Sequence, residues 1–102
     1  MTGIELITKE RKEQIEKHGR TIEDDIKYNA YRELTKAAEG LLNFNTKGTK
    51  EEDENYAEFF RPKNWNKDIW IKMCCDKGYK ERLIIAGALI AAELDRIIQL
   101  EK

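Results

Sequence analysis

Residues 79–100 read YKERLIIAGALIAAELDRIIQL, in which ten apolar or small residues, Leu83 to Ala92, run directly into Glu93. Leucine, isoleucine and alanine without proline over this length favour a helix. That helix is apolar nearly all round, which predicts a central element surrounded by other helices. Gly87 in its middle costs about 1 kcal/mol relative to alanine, so the expected benefit is close approach by a neighbour or a ligand. Gly87 and Ala91 lie one turn apart and form a small-residue patch suited to tight packing, within the chain or between copies. A helical turn of 3.6 residues puts Glu93 on the face of Ala86, Leu89, Ile90, Ile97 and Leu100. Its carboxylate therefore sits inside the apolar stripe, not beyond its end.

The rest of the chain reads as helix too. Pro62 is the only proline and no strand-like alternation is present, which predicts an all-α fold, a small bundle of about four helices with residues 79–100 at its centre. The first helix is expected over 2–17, stopped by Gly19. Thr21 caps a second, with Asp24 at the reciprocal position of a capping box. It is expected to run to Leu42 with a stripe of Ile26, Ala30, Leu34, Ala37 and Leu41. Asn66 caps a third over KDIWIKMCCDK, ended by Gly78, and the fourth spans Lys80 to Leu100. Residues 43–64 form an acidic insertion. Its first half, with Glu51 to Glu54, reads as a solvated loop; its second half reads as a short helical turn that docks Tyr56, Phe59 and Phe60 on the body.

Composition narrows the function. A chain of 102 residues suffices for one domain, 1–102. Nineteen basic against twenty acidic residues leave a net charge of −1, without the basic bias of a nucleic-acid binder. The longest apolar run is half of what a membrane span needs, so the expectation is a soluble, cytoplasmic protein. Adjacent Cys74 and Cys75 suit neither a disulfide staple nor a zinc site, and His18, the only histidine, reads as a helix-end residue.

Charged residues on apolar faces supply the candidate site. Arg11 falls near the centre of the face formed by Ile4, Ile7, Ile15 and His18, with Gln14 at its edge, and Glu33 projects between Ala30 and Ala37. Three helices thus turn Arg11, Gln14, Glu33 and Glu93 toward one interior, and a buried charge must be paired. Arg11 is the expected partner of Glu33 or Glu93. Two readings follow. Either the network is closed and fixes helix register, or it lines a pocket in which Arg11 and Gln14 face a ligand while the carboxylates hold arginine or coordinate Mg²⁺. Trp65 and Trp70 serve as a stacking platform or as core anchors. Asp24 and Asp25 suit the first turn of a helix, and such a pair also suits a hydrated metal ion.

The strings ERKEQIEKHGRTIEDD, RELTKAAEGLL, WNKDIW and KERLIIAGALIAAELDRI resemble a group of short proteins of phages, prophages and other mobile elements. The matching positions are Glu10, Arg11 and Gln14; Gly19, Thr21, Asp24 and Asp25; Glu33; and Ala92 with Glu93. A more distant resemblance is to MazG-like all-α nucleotide pyrophosphohydrolases, whose helices present glutamates to Mg²⁺ and a nucleoside triphosphate. That family's ExxE and ExxD clusters are not reproduced: Glu33 and Glu39 are six residues apart, and Glu93 and Asp95 point about 200° apart. Three expectations result. The first is a non-catalytic, homo-oligomeric protein that sequesters a small anionic or nucleotide-like ligand through Arg11, Gln14, Glu33, Glu93, Trp65 and Trp70. The second is a Mg²⁺-dependent MazG-like hydrolase with Glu33, Glu93 and Asp25 on the metal. The third is a protein-interaction module with a closed salt-bridge core.

Overall fold

Four of the helices begin where a short polar side chain can accept a hydrogen bond from the backbone three residues on. Thr2, Thr21, Thr49 and Asn66 accept from the N–H groups of Glu5, Asp24, Glu52 and Ile69. Thr2 and Glu5 complete a reciprocal box. The computed structural model describes every residue except Arg20 and Lys47, and among the described residues there are six helices and no strand. They are α1 (Gly3–Glu16), α2 (Ile22–Tyr28), α3 (Glu33–Asn43), α4 (Lys50–Phe59), α5 (Lys67–Cys75) and α6 (Tyr79–Leu100).

The all-α reading holds, and the count of four is corrected to six. The expected second helix breaks between Asn29 and Arg32, because Arg32 takes a left-handed conformation (φ 69°, ψ 22°). Ala30, expected in the buried stripe, is exposed there. The break lets α3 turn Leu34, Ala37, Ala38 and Leu41 into the core independently of α2. The expected acidic loop is also helical from Lys50 onward; of that stretch, Lys47 lies outside the described residues. Glu51, Glu52 and Asp53 occupy the first turn of α4, where the helix dipole favours negative charge. Tyr56 and Phe60 dock on the core as expected, whereas Phe59 is 78% exposed.

Helix α6 packs against α1, α2 and α3, while α4 and α5 pack on one another. Leu34, Leu41, Leu89, Trp70 and Cys74 are fully enclosed. Arg82, buried near the start of α6, donates to the carbonyls of Leu41 (3.3 Å) and Phe44 (3.3 Å) at the end of α3 and to Lys77 (2.8 Å). It thereby satisfies carbonyls that the last turn of a helix leaves without partners. The close approach expected at Gly87 is real: a Cβ there would lie 2.6 Å from Cδ1 of Ile7 on α1. The expectation that α6 is surrounded is corrected on one side, since Leu83, Ile90, Leu94 and Ile97 remain exposed. No helix among the described residues is long and apolar enough to cross a membrane.

Candidate functional site

Glu93 is indeed inside the stripe, and its partner is on its own helix. Arg96 Nε and Nη2 donate to the two Glu93 oxygens at 2.5 and 3.3 Å, and both side chains are nearly sealed, at 12% and 13% exposure. The hydrogen bond to Glu93 raises the Arg96 pKa, with Glu33 and Asp25 adding to the effect through their charge. One guanidinium thus pairs with the acid of α6 and feels the charge of acids on α3 and α2. Glu33 also accepts the Tyr31 backbone N–H at 2.7 Å, which fixes the break before α3.

Arg11 makes its ion pair with Asp95 at 3.4 Å. The expected pairing of Arg11 with Glu33 or Glu93 is replaced by Arg11 with Asp95 and Glu93 with Arg96. The physical reason is rotation along α6: Glu93 and Asp95 are two residues apart, so they point to different neighbours. Gln14 is buried beside a hollow of about 430 Å³ lined also by Glu10, His18, Met73 and Lys77. Its Oε1 has no hydrogen-bond partner among the described residues. Burial there pushes the Glu10 carboxyl up, with Glu13 adding to it.

Asp25 also lines a concavity. A cavity of about 370 Å³ is lined by Asp24, Asp25, Asn29, Asn64, Trp65 and Asn66, among others. Its wall is a hydrogen-bonded chain in which Trp65 Nε1 donates to Asn29 Oδ1 (3.1 Å) and Asn29 Nδ2 donates to Asp25 Oδ1 (2.9 Å). The segment carrying Trp65 is tied down by Arg61, which donates to the Trp65 carbonyl at 2.7 Å. Asn64 adopts a left-handed backbone (φ 72°), a conformation asparagine tolerates better than most residues. A neighbouring hollow of about 460 Å³ shares Asn64 and adds Tyr31, Glu33, Lys36 and Lys63. Asp25 therefore belongs both to the Arg96 neighbourhood and to this wall.

Of the two tryptophans, Trp65 is half-buried at the cavity, whereas Trp70 is fully buried with its Nε1 on the Ala57 carbonyl (2.7 Å). The rings meet edge to face at 6.1 Å, so Trp70 backs Trp65 from the core. Neither of the two adjoining hollows is lined by Arg11, Gln14 or Glu93. Sequence reasoning missed Arg96, Asn29, Asn64 and Lys63. Only Arg96 carried a signal, its i+3 spacing from Glu93.

Among the described residues no three His, Cys, Asp or Glu side chains are grouped to hold a metal ion. Glu93 is paired with the Arg96 guanidinium, and Glu33 accepts the Tyr31 N–H. Comparison with protein-family models, curated proteins and solved structures finds no match to this chain.

Proposed function

We propose that this chain is a non-catalytic binding protein of the phage and mobile-element type, working as a homo-oligomer, that holds a small nucleotide-like ligand in the Trp65 cavity. The supporting observation is the pairing of that cavity with the Lys36 and Lys63 hollow through Asn64. The first volume falls in the range of small-molecule sites. Asparagine amides and the Asp24 and Asp25 carboxylates suit the N–H donors of a planar base, and the half-buried Trp65 ring offers apolar surface. The two lysines suit the anionic part of the same ligand. Negative charge on both aspartates disfavours a phosphate in the first cavity, so the base belongs there and the anion next door.

Calorimetry with a panel of nucleosides and nucleotides tests this reading. Binding without turnover is expected, with Trp65→Ala weakening it about tenfold or more. Lys63→Glu should weaken nucleotides more than the matching nucleosides. Pyrophosphate release on adding Mg²⁺ would move the assignment to a hydrolase, and silence across the panel would remove the ligand altogether.

A further inference from the structure

The exposed apolar residues of α6 are not scattered. Leu83, Ile90, Leu94 and Ile97 are spaced by seven, four and three residues, the spacing of a seam between two packed helices. With Ile98 at its edge, each of these side chains is between 39% and 55% exposed. Together they leave roughly 400 Å² of apolar surface, close to the apolar half of the about 800 Å² per partner that a stable interface buries.

We propose that this seam is where a second copy of the chain docks, α6 against α6 in antiparallel orientation about a two-fold axis. The charges at the ends of the seam select the orientation. Lys80 and Glu101 are both exposed, one at each end of α6. In antiparallel docking the Lys80 end of one copy lies beside the Glu101 end of the other. Parallel docking would instead set Lys80 against Lys80 and Glu101 against Glu101, which repel. A self-complementary patch of this kind closes as a dimer without leaving a free copy of the surface. The assignment extends the oligomeric side of the proposed function and is independent of the ligand, because mass is measured without one.

Sedimentation equilibrium of the full chain across a concentration series, at low salt and without nucleotide, tests the proposal. The expected species is a dimer, twice the 12.0 kDa chain. Leu94→Glu, with its helical circular dichroism retained, should weaken association at least about tenfold. Lys80→Glu should weaken it as well, and Lys80→Glu combined with Glu101→Lys should restore it. A monomer at every concentration overturns the proposal, as does a dimer indifferent to Leu94→Glu. Failure of the charge swap to restore association overturns the antiparallel arrangement.

Discussion

Glu93 and Arg96 are joined on α6 by two hydrogen bonds, and the charges of Glu33 and Asp25 act on the same guanidinium. A planar fork with several donors can serve more than one carboxylate, which a lysine point charge does less well. The direct pair with Glu93 is nearly sealed, so weakening one partner leaves charge that water cannot reach. Glu93→Gln should therefore lower unfolding free energy by about 1–2 kcal/mol, against a change within about 0.5 kcal/mol for Glu39→Gln at an exposed position of α3. Urea denaturation of the two variants checks this; equal midpoints would show that the pair contributes nothing. The buried setting of Glu93 was legible from its apolar neighbours. Its partner was not, because apolar spacing says which face a residue occupies but not which other charge the fold brings to it. Arg11 illustrates the point, paired as it is with Asp95.

At the scale of the element, Gly40 in α3 and Gly87 in α6 differ in what surrounds them. A Cβ on Gly40 would meet Phe60 Cβ at 2.8 Å and Trp70 Cζ2 at 2.9 Å, atoms at a side-chain root and in a fully enclosed ring. A Cβ on Gly87 would meet Ile7 Cδ1 at 2.6 Å and Cγ1 at 2.9 Å, both in one half-buried side chain at the edge of the core, with room to shift. Alanine gains about 1 kcal/mol of helix propensity at either site. Overpacking costs about 1–3 kcal/mol where neighbours cannot give. Gly40→Ala should thus destabilise by about 2 kcal/mol, and Gly87→Ala should stay within about 1 kcal/mol of the parent. Thermal melts of the two variants decide it, and a larger loss at Gly87 would contradict the argument. The helix starts at Thr21 and Asn66 were legible because a cap is a local signal. The α4 start carried the same signal, Thr49 before Glu52, beneath an acidic run that also suits a loop. The break at Arg32 left no glycine or proline to announce it.

For the molecule as a whole, Cys74 connects the packing of the core to its response to pH. It is fully buried beside Trp70, and burial pushes its thiol from 9.0 up to about 12, with Cys75 adding to the shift. The folded chain keeps the thiol neutral while the unfolded chain ionises it. Stability from this group is complete below pH 9 and is lost as pH rises from there toward 12. Replacing the thiol should flatten that limb: Cys74→Ala is expected to be less stable near neutrality, from the cavity it leaves, and to lose less stability between neutral pH and the alkaline end. Urea midpoints measured across the window test this, and parallel slopes for parent and variant would refute it.

From its own residues the chain announces that it is helical, where most helices start and that Glu93 lies within an apolar stripe. These follow from propensity, capping and the 3.6-residue turn, all of which act between near neighbours. Packing of the folded chain decides that α2 and α3 separate, that Glu93 pairs with Arg96 and Arg11 with Asp95, that Trp65 donates to Asn29 at the cavity while Trp70 is enclosed behind it, and that one face of α6 stays uncovered. Those outcomes depend on how rigid helices rotate and pack against one another, a property of distances between residues that the linear order does not contain.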